Sequence, residues 1–386
     1  MALVRNEKLV TYNINEIENI KIHGRTDITR NPLPLFWNHS GVEVKVTGTE
    51  LWIDLSVDCE FFEPWVAVEI NGSLISRQML LPGDYSICLF RSMLPEGVKT
   101  VKFYRELQSM ADNTLCHVLV KGIRSDGRFL PVDEKRFKFE FVGDSITSGE
   151  GTYGASQDTE WISMYMSSSR HYANIIEKRL NADARLISLG GWGVYSGWDN
   201  DLRHNIPSIY EKISGPSTGE FYEKLGAQKK NDFKSWVPDA IIVNLGTNDQ
   251  TAFVQPPFTN PETGEISKLK TNADGSFDKD DAAKISNAVF DFLKMLRNNN
   301  PTSHIVWAYG MLGGKINLTL IAGINKYIES TGDTNVAFLG LPDTACENFG
   351  SHAHPGFEAH IEVSKVLCKY LADYFGVEPG NCSVFH

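Results

Sequence analysis

Two rhythms of apolar and polar residues divide the chain. In the first part they alternate one for one. Val42-Glu-Val-Lys-Val46 does so and turns at Gly48-Thr49, and Leu51-Trp-Ile-Asp-Leu-Ser-Val57 repeats the pattern. Successive side chains of a strand point to opposite faces, so this alternation predicts strands with one buried face. Val66-Ala-Val-Glu-Ile70 runs into Asn71-Gly72, a dipeptide suited to the positive φ angles of a tight hairpin. Val101-Lys-Phe-Tyr104 and Cys116-His-Val-Leu-Val-Lys-Gly-Ile123 continue the series. Many short strands at close spacing predict a β-sandwich or jelly roll over residues 1–128. The turn-rich stretch Arg124-Ser-Asp-Gly-Arg-Phe-Leu-Pro131 reads as a linker.

Over residues 129–386 the rhythm changes. Short apolar runs alternate with amphipathic segments. The runs are Phe137-Lys-Phe-Glu-Phe-Val142, Arg185-Leu-Ile-Ser-Leu189, Ala240-Ile-Ile-Val-Asn-Leu245, His304-Ile-Val-Trp-Ala308 and Val336-Ala-Phe-Leu-Gly340. They read as buried parallel strands. Helices are expected over 171–180, 282–298 and 356–375. In the last, Ile361, Val363, Val366, Leu367, Tyr370 and Leu371 make a broad apolar stripe. Strands alternating with helices predict a doubly wound α/β domain with a parallel sheet. Residues 251–280 are polar with little periodicity, and read as a long loop near the site.

Composition narrows the class. The 386 residues are enough for two domains, and the contents of 42% hydrophobic and 11% aromatic residues fit a globular protein. A net charge of −11 argues against nucleic acid or an anionic membrane as partner. No run approaches the ~20 apolar residues of a membrane helix. The six cysteines, Cys59, Cys88, Cys116, Cys346, Cys368 and Cys382, form no Cys-x-x-Cys pair. That spacing predicts thiols and no zinc site. The start, Met1-Ala-Leu-Val-Arg-Asn-Glu7, lacks the apolar core of a secretory signal, which gives a cytoplasmic expectation, with secretion the alternative if a signal has been cleaved from the chain. Homo-oligomerisation is left open.

Candidate chemistry sits at the ends of the apolar runs. Phe141-Val-Gly-Asp-Ser-Ile-Thr-Ser-Gly149 places Ser145 on a turn past a strand, at the carboxyl edge where α/β sheets gather their sites. After Leu189 comes Gly190-Gly-Trp-Gly193, and after Leu245 comes Gly246-Thr-Asn-Asp249. Gly350-Ser-His-Ala-His-Pro355 precedes the last helix. Ester hydrolysis needs a nucleophile, a base, oxyanion donors and a group that orients the base. Ser145 can attack and His354 can take its proton. The N–H groups of Ser145 and Gly191 and the Asn248 amide can hold the oxyanion. Glycine at 191 lets backbone approach a substrate closely. Trp192, Trp198 and Trp307 flank these strand ends, and indole faces can stack on sugar rings. Trp192 and Trp307 are the substrate-binding candidates. Asp144 and Asp249 read as structural, as does His360. No metal and no organic cofactor is called for.

These four blocks, in this order, resemble the SGNH hydrolase superfamily. With a β-rich domain in front, the chain is similar to carbohydrate esterase family 2, acetyl esterases that act on polysaccharides such as xylan. The resemblance implies a flavodoxin-like, three-layer α/β/α hydrolase domain behind a jelly roll. It implies Ser145 as nucleophile, His354 as base, and Gly191 and Asn248 as oxyanion donors. The expected substrate is an acetylated oligosaccharide or polysaccharide, with xylan or xylo-oligosaccharides first. A short-chain acyl esterase or lipase of the same superfamily and a non-catalytic carbohydrate-binding protein are the rivals.

One departure stands out. Superfamily members commonly carry Asp two or three residues before the histidine, and here those positions are His352 and Ser351. The resemblance then implies a Ser-His dyad, with a backbone carbonyl near His352 or Ser351 holding His354. A neutral His352 imidazole, Asp343 or Glu347 are the other acceptors open to the sequence.

Overall fold

The computed structural model describes residues 9–110 and 115–380. The amino-terminal stretch read for a signal and Cys382 lie outside them. By packing, the chain divides into two compact units. One holds residues up to Glu134 together with 162–164 and 212–230, and the other holds the remainder.

The first unit is two antiparallel sheets. One orders Val10–Tyr12, His117–Ser125, Leu51–Asp58 and Gly83–Phe90, with Leu33–Pro34 also pairing on His117–Ser125. The other orders Phe129–Leu130, Gly41–Val46, Lys99–Arg105, Trp65–Ile70 and Ser73–Met79, with Lys21–His23 added on Gly41–Val46. Val42, Val44 and Val46 share one core with Ile53, Leu55 and Val57. Leu51–Asp58 alternates buried and half-buried residues along its length, as period-two patterning requires. Asn71 and Gly72 turn the hairpin with φ of 50° and 82°. The expected linker instead supplies a strand. Phe129 and Leu130 pair with Val46 and Lys45, and the Phe129 ring meets Tyr12 edge-on at 5.2 Å. The apolar Phe129 face favours the core over a solvated linker. Segment 212–230 joins this unit through the Trp37 indole, which donates to the Ile213 carbonyl at 2.7 Å, and through the Lys229–Asp27 ion pair at 2.7 Å.

The second unit is built on five parallel strands. In chain order they are β1 (Phe137–Gly143), β2 (Ala182–Ser188), β3 (Ala240–Asn244), β4 (His304–Met311) and β5 (Val336–Asp343). Their spatial order is 2-1-3-4-5, the flavodoxin-like winding, whose switch point lies between β1 and β3. Six helices matter here: α1 (Ser145–Ser148), α2 (Tyr172–Arg179), α3 (Thr247–Ala252), α4 (Lys279–Asn299), α5 (Asn317–Thr331) and α6 (Phe357–Phe375). The α6 stripe buries Val363, Leu367 and Leu371 among Phe139, Phe141 and Ile176. Each such side chain contributes about 1.5–3 kcal/mol when fully buried. The α4 helix starts where Asp278 accepts from the backbone of Asp280 and Asp281, a side-chain cap that satisfies orphan first-turn donors. Between α3 and α4 the expected loop contains one small hairpin, Phe258–Thr259 with Ile266–Ser267. Among the described residues no helix is long and apolar enough to cross a membrane. The five described cysteines are free thiols, Cys116 and Cys368 buried and Cys88 and Cys346 exposed.

Candidate active site

The ends of β1 and β3 deliver their groups to the switch point. At the end of β1, Asp144 caps α1, its carboxylate accepting from the Ile146 N–H at 3.0 Å. Ser145 is the first residue of α1, so its N–H is among the first-turn donors that have no partner within the helix. Thr147 and Tyr172 share a buried hydrogen bond of 2.8 Å behind the turn. Asp144 is fully buried, and burial with the nearby Asp249 and Glu150 charges raises its pKa to about 7.

The loop after β2 carries Gly191 with a φ of 81°, a left-handed angle that favours glycine. Asp249 fixes the shape of this loop. Its fully buried carboxylate accepts from the N–H groups of Val194, Tyr195 and Ser196 at 2.9, 2.8 and 3.1 Å. Burial raises its pKa against those stabilising bonds. A side chain at Gly193 would collide with the Ser196 carbonyl and the Asp249 carboxylate. The neighbouring Asn248, one residue into α3, donates its amide to the Trp192 carbonyl at 3.0 Å and to Asp144 at 3.3 Å. The loop after β2 and the starts of α1 and α3 are thus tied into one frame.

His354 arrives on the loop before α6. Its Nε2 lies 2.8 Å from Ser145 Oγ, and its Nδ1 lies 2.7 Å from the His352 carbonyl oxygen. A carbonyl can only accept, so Nδ1 carries the proton and Nε2 is free to accept from the serine hydroxyl. Two residues 209 positions apart therefore meet with a hydroxyl and an imidazole in hydrogen-bond contact. The acceptor for Nδ1 is the His352 carbonyl, not its imidazole. The His352 ring is engaged elsewhere, its Nδ1 lying 2.6 Å from Glu150 Oε1. Asp343 instead accepts from the Gly313 N–H at 3.0 Å, and Glu347 is exposed.

Glu150 escaped the sequence reading. It stands between Gly149 and Gly151, five residues after Ser145. Its buried carboxylate lies 3.5 Å from His354 Nδ1 as well. The bond to Glu150 raises the His352 pKa, partly opposed by burial. Glu150, His352 and His354 bring ligand-type atoms within 4.8 Å of one another. The Nδ1 of His352 is bonded by Glu150, and that of His354 by the His352 backbone carbonyl.

The tryptophans divide. Trp307 is fully buried in β4 and donates its indole N–H to the Leu245 carbonyl at 3.0 Å. It cannot stack on a sugar, and the substrate-binding assignment is corrected. The side chain sits on the sheet face that Phe292 of α4 covers. Trp192 is half-buried, stacked on His204 at 5.0 Å. Trp198 is 46% exposed, and its indole edge lies over Gly191. His360 is buried against Tyr172, and burial drops its pKa to about 3. It is a neutral packing residue.

A nucleophile–base pair at the switch point of a 2-1-3-4-5 sheet, with glycine and asparagine at the neighbouring strand ends, defines a serine hydrolase-type site. Residues 139–367 match the family described as GDSL-like lipase/acylhydrolase, and the chain belongs to that family. Among solved structures it is similar to Est2A, an acetyl xylan esterase from the rumen bacterium Butyrivibrio proteoclasticus. The identity is 55%, covering 95% of this chain and 99% of that one, at a TM-score of 0.94. Cellulase/esterase CelE of Acetivibrio thermocellus is 24% identical over 92% of this chain. The chain spans only 40% of that relative's length. A family two carbohydrate esterase from Clostridium thermocellum, solved in complex with cellohexaose, has the same fold at 23% identity and a TM-score of 0.75. That match covers 92% of this chain and 99% of the other.

Proposed function

We propose that this chain is a serine esterase that removes O-acetyl groups from carbohydrate, acetylated xylan or xylo-oligosaccharides first among them, through a Ser-His dyad. The observation that carries the reading is the 2.8 Å contact between Ser145 Oγ and His354 Nε2, with Nδ1 held by a carbonyl. The 55% identity to an acetyl xylan esterase supports the substrate class.

Ser145 Oγ attacks the acetyl carbonyl carbon and its proton passes to His354 Nε2. The oxyanion gathers the N–H groups of Ser145 and Gly191 and the Asn248 amide, which turns from its longer bond to Asp144. Collapse expels the sugar oxygen, which takes the proton from His354, and leaves acetyl-Ser145. Water then attacks the acetyl carbonyl and gives a proton to His354; collapse breaks the bond to Ser145 Oγ, which takes that proton back, and acetic acid leaves and ionises to acetate. Donors placed for the developing oxyanion supply about 3–4 kcal/mol each. Trp198, exposed above Gly191, offers the sugar a stacking face.

The test is acetate release from an acetylated xylo-oligosaccharide by the wild type and by Ser145→Ala. Loss of release in the variant supports the mechanism, and undiminished release rejects it. A panel of acyl lengths on one alcohol separates a deacetylase, which favours acetyl, from a longer-chain acyl hydrolase.

A further inference from the structure

The loop that presents His354 holds a left-handed turn without glycine. His352 and Ala353 both have φ of 54°, and such angles cost roughly 1–2 kcal/mol per non-glycine residue. Strain of this kind persists where surrounding contacts enforce it and clusters at functional sites. Three contacts enforce it here. The His352 N–H donates to the Asp158 carbonyl at 2.6 Å, and the Ser351 hydroxyl donates to the Tyr153 carbonyl at 3.0 Å. The His352 ring bonds Glu150 at 2.6 Å. The turn's product is a carbonyl aimed at His354 Nδ1.

Glu150 reaches this point because the chain around it is bare. A Cβ on Gly151 would come within 2.5 Å of the His354 Cβ, and one on Gly350 would strike the Gly151 carbonyl. Two glycines thus let the turn after α1 press against the His354 loop, where one Glu150 oxygen faces the Nδ1 atoms of both imidazoles. Its oxygen is 3.5 Å from His354 Nδ1, whereas the two imidazole centroids are 5.5 Å apart.

We propose that Glu150 is the positioning carboxylate of this dyad: it pins the His352 turn that holds His354, and its charge stabilises the imidazolium formed during turnover. The inference rests on the Ser145–His354 mechanism above. It supplies from the nucleophile's own turn the negative charge that positions 351 and 352 lack. At 3.5 Å Glu150 acts on His354 without replacing the carbonyl that Nδ1 bonds. A full triad carboxylate is worth about 10⁴-fold in kcat. A carboxylate that acts from one shell further out is expected to give about 10- to 100-fold.

Other charges bear on His354 or its partner: Asp144 at the end of β1, close to Glu150, with Asp249 beyond it; His360 of α6, held neutral by burial; and His352 on its own loop. Only changes at 150 and 352 alter the pair in question.

The experiment measures kcat/KM on 4-nitrophenyl acetate against pH for the wild type, Glu150→Gln, Glu150→Asp, His352→Gly and Ser145→Ala. Glu150→Gln is expected to lower the plateau about 10- to 100-fold and to move the acid limb to lower pH, because the imidazolium loses its counter-charge. His352→Gly keeps the carbonyl and tolerates the left-handed angle. It removes the cation that offsets Glu150, so its acid limb is expected to move to higher pH. Glu150→Asp is expected to recover part of the rate. Opposite displacements of the two limbs are a signature that simple loss of packing does not produce. If Glu150→Gln fails to fold, His352→Gly and Glu150→Asp still decide. Unmoved limbs in every folded variant, with Ser145→Ala inactive, overturn the role of Glu150 and leave the dyad standing. An active Ser145→Ala overturns both.

Discussion

Ser145 and His354 are brought to one point by two different kinds of structure. Ser145 stands on regular elements: a buried strand, a capped one-turn helix and a hydroxyl pair between Thr147 and Tyr172. His354 stands on an irregular loop, with two left-handed residues and a glycine packed directly on the backbone of Gly151. The nucleophile's place follows from backbone hydrogen bonds that any strand and helix make. The base's place follows from particular contacts to the turn at 149–151. One end should therefore tolerate small changes that the other does not.

The largest expected effect treats both ends alike. Ser145→Ala should lower kcat by at least about 10³-fold with the melting temperature nearly unchanged, read by acetate release and thermal unfolding. Next comes the base end. Gly350→Ala places a Cβ against the Gly151 carbonyl, and backbone cannot give way as a flexible side chain can. It should cost about 10-fold or more in kcat and also lower the melting temperature. The matching change at the nucleophile end, Thr147→Ala, removes one buried hydroxyl pair. It should cost about 1–3 kcal/mol in denaturant unfolding while kcat stays within about threefold. Equal kcat losses in these two variants would erase the distinction between the ends.

The smallest effect concerns pH. Glu150 raises the folded-state pKa of His352 above the ordinary 6.5. The stabilisation from that pair is fully present below pH 6.5 and fades as pH rises through the elevated value. The melting-temperature gap between the wild type and His352→Asn should be widest in acid and close in alkali. A gap that widens with pH would contradict the pairing.

The same contrast explains what could be read from the sequence. Period-two alternation marked the sheets of the first unit, and apolar runs separated by amphipathic stripes marked the parallel sheet. Both signals are properties of local backbone geometry. The positions of Ser145, Gly191 and Asn248 at the carboxyl ends of the strands were legible because each follows an apolar run. Trp307 was misread because a run that is apolar throughout does not show which face a residue takes, and in β4 every residue is buried. The strand at 129–130 reads as a linker in the sequence because its neighbours are turn residues, while its pairing with 45–46 is long-range. Glu150 was missed for the same reason. Its meeting with His352 spans 202 positions and depends on Gly151 and Gly350, whose role appears only once both loops pack.

In the proposed reaction His354 is the group that takes the Ser145 proton. A fluorophosphonate probe, which phosphonylates an activated serine, tests it without reference to substrate. Peptide mapping should find the label on Ser145 in the wild type and no label there in His354→Ala. Labelling of Ser145 that proceeds equally fast without His354, or a label carried by another serine, would contradict the account.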